Sequence, residues 1–156
     1  HDDDNNKIPL FREVLNVLSK KCIIVVEIKS VHFLNAGIEK NVLEIVKEFN
    51  FEENCIISSF NPLILWRIRK LNPNILTAFL WSKTDPQFSL NSPLWVWLCR
   101  PHAFHADIEH LDENLMSWIH RKKMSVLTFT VKTSSDLSKA KHLGVDGIIM
   151  DDPYLN

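Results

Sequence analysis

Between Ile23 and Asp151 the chain alternates short, apolar, β-rich runs with segments whose apolar residues recur every three or four positions, and no other feature narrows its choice of fold so far. Six runs read as strands: Ile23–Lys29, Cys55–Phe60, Ile75–Trp81, Ala103–Asp107, Ser125–Val131 and Gly147–Asp151. The intervening stripes read as helices. In "PLFREVLNVLSKK" the residues Leu10, Val14, Leu15, Val17 and Leu18 share one broad face, with Pro9 suited to the first turn. Ile38, Val42, Ile45, Val46 and Phe49 form a second stripe, and Pro62 to Leu71 a third. Asp112 is the candidate N-cap of a fourth helix, and Ser134 or Ser135 that of the last, which Gly144 ends. Strands and helices in strict turn require a parallel sheet with right-handed crossovers, an α/β architecture. The series opens on a helix, as though strands before it were absent. Ser82 to His102, with Pro86, Pro93 and Pro101 around "LWVWLC", reads as a loop holding a short helix.

With 156 residues, 46% of them hydrophobic, the chain is expected to form a single domain over residues 1–156 with a substantial core. Lys and Arg number 18 against 19 Asp and Glu, so no basic excess points to nucleic acid. No apolar run reaches the roughly 20 residues of a membrane span, and "HDDDNN" lacks the positive start of a signal peptide. Cys22, Cys55 and Cys99 lie far apart; read as reduced, small core residues, they favour the cytoplasm. The first residue is His1 rather than Met, and the sequence leaves open what stood before it.

The stretch "CIIVVEIKS", Cys22 to Ser30, sets a chemical question. Its run of Ile23, Ile24, Val25 and Val26 reads as a strand buried on both faces, yet it ends in two charges. By strand alternation Ile23, Val25, Glu27 and Lys29 share one face and Ile24, Val26 and Ile28 the other, so the charges converge at the strand's C-terminal end.

Four segments, "IPLFREVL", "VVEIKS", "CIISSFNPLILWRIRKLNPNI" and "VLTFTVKTSSDLSKAKHLGVDGIIMDDP", follow in order the pattern of the glycerophosphodiester phosphodiesterase family, so that nearly the whole chain resembles it. The Glu-x-Lys strand end, the Ser-Ser-Phe-Asn turn and the "GVDGIIMDDP" ending carry the likeness together. The resemblance implies a TIM-type (β/α)8 barrel, here represented by strands three to eight. It implies hydrolysis of glycerophosphodiesters to glycerol 3-phosphate and an alcohol, with a divalent cation, Ca²⁺ or Mg²⁺, and a pair of histidines. Catalytic groups in such barrels sit at the C-terminal ends of the strands, where Glu27 and Lys29 fall. The resemblance makes Glu27 a metal carboxylate and Lys29 the catalytic and substrate-binding cation beside the phosphate. Phe129 stands where the family usually has tryptophan, an apolar substrate-binding face without the indole donor.

The family's first third carries a His-Arg, a Glu-Asn-Thr turn and a Glu-x-Asp that supplies two further metal ligands; none is present. The chain therefore looks like a member without its first two strand-helix units. His1-Asp2 is the candidate for the family's His-Asp, although the stretch between it and the following "IP" is much shorter than the family's. Six parallel strands leave two open edges, which upstream residues or a second copy of the chain would cover, failing which the chain would be unstable. Two rival readings stay open: a non-catalytic remnant that binds a phosphorylated ligand or a partner, and a related phospholipase-like barrel.

Other clusters invite blander readings. "HAFHADIEH" would set His105, Asp107 and Glu109 on one strand face, but its spacing fits no zinc motif, and Asp107 remains a weak substrate-site candidate. Ser58, Ser59 and Asn61 close a strand at the same rim, with helix capping the expected role of Asn61. Trp95 and Trp97, with Leu94, Val96 and Leu98, read as packing against the barrel, with a lid over the mouth or a shallow membrane-touching patch as the alternatives.

Overall fold

A computed structural model describes residues 7–18, 22–30, 37–84, 95–152 and 154–155; His1 lies outside them. The elements follow in the order α1 (Phe11–Val17), β1 (Ile24–Glu27), α2 (Ile38–Glu48), β2 (Cys55–Ser59), α3 (Pro62–Leu71), β3 (Leu76–Trp81), α4 (Val96–Cys99), β4 (Ala103–Asp107), α5 (Glu113–Arg121), β5 (Ser125–Phe129), α6 (Ser134–Leu143) and β6 (Gly147–Ile148). All strand pairs are parallel and neighbours in sequence are neighbours in space, in the order β1-β2-β3-β4-β5-β6. The α/β reading holds, and the sheet is curled. The Phe60 and Phe129 ring centroids, at the ends of β2 and β5, are 6.1 Å apart. Three strand spacings of a flat sheet would hold them roughly 14 Å apart.

Alternation sorts the strand residues into an outer, helix-facing layer and an inner one. Outside, Ile57, Ile64, Ile68, Val46 and Leu15 belong to one buried cluster against β1 and β2, and Phe79, Trp81, Phe104, Val126, Met116 and Ile119 to another against β3 to β5. Inside lie the alternate residues, among them Ser58, Ala78, His105 and Asp107.

Several local expectations change for identifiable reasons. The strand expected over Ile23–Lys29 is Ile24–Glu27, and it is not buried on both faces: Val25 is 42% and Ile23 66% exposed, because β1 is an edge with a neighbour on one side only. The strand expected to Val131 stops at Phe129, where Thr130 turns to φ 64°. The last strand is Gly147–Ile148 rather than Gly147–Asp151. Pro9 precedes α1 instead of entering its first turn; Leu10 is the N-cap, its N–H donating to Glu13 at 2.7 Å. Thr133, not Ser134 or Ser135, caps α6 by accepting from the Asp136 N–H, since the Asp136 carboxylate reaches back to the Thr133 N–H and closes a reciprocal box. Asp112 caps α5 and Gly144, at φ 68°, ends α6, both as expected. Of the cysteines, Cys55 and Cys99 are core residues whose thiols burial pushes up to about 12, whereas Cys22 is exposed.

Candidate active site

Parallel strands all end on one side, so their C-terminal ends make a single rim. On β1, Ile24, Val26 and Ile28 pack toward the helices, which leaves Glu27 on the inner side. The Lys29 ammonium lies 3.8 Å from the Glu27 carboxylate, with the two side chains 82% and 34% exposed. So exposed a pair adds little to stability. Its chemical interest is a cation and a carboxylate standing together at the mouth.

The backbone that carries them is held by the next strand end. The Ile28 N–H donates to the Ser58 carbonyl at 2.8 Å, the Ser59 hydroxyl donates to the Ile28 carbonyl at 2.7 Å, and Asn61 Nδ2 donates to the Ser30 carbonyl at 3.2 Å. Asn61 is thus more than the helix cap expected of it. Its Oδ1 accepts from the Leu63 N–H at 3.0 Å, and its own N–H donates to Ser59 Oγ, so one turn both starts α3 and clamps the residues on either side of Lys29. This positioning role was not evident from "SSFN", although the residue types were the signal: short hydroxyls and amides at a strand end are suited to backbone carbonyls. Ser58, opposite Glu27 in the register, is buried and its hydroxyl has no hydrogen-bond partner.

Across the rim, Asp107 ends β4 opposite Phe129 of β5. Its carboxylate is buried and accepts from Ser82 Oγ at 3.3 Å and from the Glu109 N–H at 3.1 Å. That second bond draws the chain into a 3-10 turn over Ile108–His110, so Glu109 leaves the strand face on which alternation had placed it. The turn brings Asp107, Glu109 and His110 together, with one ligand atom from each within 4.8 Å of the others; among the described residues no other three metal-competent side chains meet in this way. One strand position below Asp107 on the inner side, His105 is fully buried, neither ring nitrogen has a partner, and burial pushes its pKa down to about 4. It is a neutral core imidazole at physiological pH. Phe129 is half-buried and packs edge-on against Phe60, an apolar wall beside the rim.

The rim therefore gathers Glu27 and Lys29 on one side and Asp107 and Phe129 on the other; His1 falls outside the described residues. Helix α4, by contrast, is no lid. It ends at Cys99, just before β4 begins, and so sits at the opposite, N-terminal end of the strands.

Comparison with known proteins agrees with this architecture. The glycerophosphoryl diester phosphodiesterase family matches residues 2–155. A glycerophosphodiester phosphodiesterase of Caldanaerobacter subterraneus is 33% identical over 150 residues, covering 94% of this chain and 59% of that protein. The crystal structure of a Thermotoga maritima glycerophosphodiester phosphodiesterase superposes with a TM-score of 0.72 at 24% identity, over 94% of this chain and 62% of that one. An Oleispira antarctica phosphodiesterase solved with its product sn-glycerol-3-phosphate gives 0.69 at 21% identity, over 92% and 57%. The chain thus spans about three fifths of the length of the relatives it matches. With the parallel half-barrel and a family match over almost every residue, the chain belongs to the glycerophosphoryl diester phosphodiesterase family.

Proposed function

We propose that the rim is the phosphate-handling part of a glycerophosphodiester phosphodiesterase site, which cleaves glycerophosphodiesters to glycerol 3-phosphate and an alcohol. The observation that carries this reading is the Glu27–Lys29 pair at a strand end whose backbone is clamped by Ser59 and Asn61. Lys29, largely exposed and carried on backbone held at Ile28 and Ser30, sets its ammonium against the phosphoryl oxygens and counters the charge that grows on them. Phe129 and Phe60 offer an apolar wall to the glycerol carbons.

A divalent cation, Ca²⁺ or Mg²⁺, fits this rim in part. Glu27 offers a carboxylate and the unpartnered Ser58 hydroxyl lies at the register position opposite it, whereas such ions take six or more oxygens, several of them from protein. Glu27 would be one ligand. When bound, the ion supplies positive charge to the phosphodiester.

Titration of sn-glycerol 3-phosphate into the chain, followed by calorimetry or by amide shifts, tests the reading. Lys29→Ala is expected to weaken binding by about tenfold, the loss of one charge-assisted contact. Equal affinity in the two proteins would remove Lys29 from the site.

We further propose that, when these 156 residues are purified alone, a second copy of the chain covers the open β1 edge, where Ile23 and Val25 are exposed. Sedimentation of the purified chain should then show dimers or larger species. A soluble monomer that unfolds cooperatively would contradict this.

A further inference from the structure

The end of the barrel opposite the rim carries a surface that substrate chemistry does not use. Trp97, on the single turn α4, is 79% exposed, and Trp66 on α3 is 40% exposed. Two shallow clefts, of about 350 and 370 Å³, flank Trp97 and meet at Arg100. Lys70 and Arg69 border the first and Lys122 the second, and no carboxylate among the described residues lines either. The placement is built into the fold. Helices α3 and α5 finish at this end, and their last turns are basic, with Arg69 and Lys70 on one and His120 and Arg121 on the other. Arg69 donates to the carbonyls of Cys99 and Arg100, which staples α4 to α3 and holds Trp97 out. The Lys70 ammonium lies 5.8 Å from the centre of the Trp66 ring. A chain of net charge -1 has therefore concentrated cations and exposed indoles at one end.

We infer that this end docks onto an anionic phospholipid surface. Indole rings settle at the headgroup level of a bilayer, with an apolar body inward and the N–H toward water. Lys and Arg beside them gain from the negative potential of the membrane and lay their methylene stems along the interface. The shape favours a bilayer over an acidic protein: Trp97 protrudes from a convex turn between open clefts, where a protein partner would need a matching groove. Docked in this way, the rim at the far end of the strands faces water. The inference is independent of what the rim binds.

The test is sedimentation of the chain with vesicles of phosphatidylcholine alone or mixed with phosphatidylglycerol, at low ionic strength. Binding is expected only to the mixed vesicles and is expected to fall as salt rises. Combining Trp97→Ala with Lys122→Glu, both at exposed positions, should lower partitioning by roughly tenfold or more. Trp97→Phe in a Trp66→Phe background is expected to keep most of the binding while losing most of the fluorescence quenching by brominated lipid, which places residue 97 itself in the bilayer. Absence of binding, equal binding to the two vesicle types, or binding unchanged by the double substitution would overturn the inference. Binding to poly-glutamate without binding to vesicles would also overturn it, in favour of an acidic protein partner.

Discussion

The 156-residue chain, assayed alone with Ca²⁺ or Mg²⁺, is expected to release glycerol 3-phosphate from glycerophosphodiesters at least about 10³-fold more slowly than the longer relatives it matches. The rim explains why. Among the described residues Glu27 brings one carboxylate to the Lys29 side, which is far short of the oxygen shell a hard divalent ion takes. Asp107, Glu109 and His110 form their grouping at the end of β4, and two of the Asp107 contacts are already made by Ser82 and the Glu109 N–H. Nor does His105 supply acid-base chemistry, because burial holds it neutral and seals both nitrogens from solvent. The phosphate contact proposed for Lys29 needs no turnover, and it is expected to persist without it. A coupled assay for glycerol 3-phosphate decides the matter; metal-dependent turnover at a rate typical of the relatives would refute it.

Replacing Arg67 by alanine is expected to destabilise the fold by about 3–5 kcal/mol. Glu39, in the first turn of α2, is only 1% exposed, and its Oε1 accepts from Arg67 Nε at 2.6 Å across to α3. The second carboxylate oxygen has no partner, so among the described residues Arg67 is the side chain that makes this buried charge tolerable. Removing the guanidinium leaves a carboxylate without compensation in an apolar layer, where desolvation is no longer offset. Converting both residues to methionine removes the charge with its partner and is expected to cost far less, since a buried pair rarely outperforms a well-packed apolar one. Urea unfolding of the two variants is the check. A loss below about 1 kcal/mol in the Arg67→Ala protein would mean that water reaches Glu39 and screens it.

How much of this was legible in the sequence depended on the range of the interaction responsible. The six strands and their parallel sense were evident from apolar period and alternation, because each run must bury its own side chains whatever else the chain does, while their sequential order followed from the resemblance to a barrel family. Asp112 and Gly144 were readable for the same reason: a cap satisfies groups within a turn of itself. The errors arose where two local candidates competed or a distant neighbour intervened. Thr133 displaced Ser134 and Ser135 because only from that position can Asp136 return the bond. The composition of β1 is that of a central strand buried on both faces, yet its exposure is set by having, among the described residues, β2 on one side alone. Glu109 left its expected face when the Asp107 carboxylate captured its N–H.

By itself, then, the sequence determined the alternation of elements, the parallel sheet, the placement of Glu27 and Lys29 at a strand end, and the family to which their pattern belongs. What required the folded chain was how Ser59 and Asn61 clamp the backbone on either side of Lys29, and that Phe60 meets Phe129 across the mouth. The fold also put α4, Val96–Cys99, at the far end of the barrel, away from the mouth. The physical reason is range. Periodicity and capping act within one or two turns and are written in neighbouring residues, whereas the curl of the sheet and bonds between Ile28 and Ser59, 31 positions apart, exist only once the strands have paired.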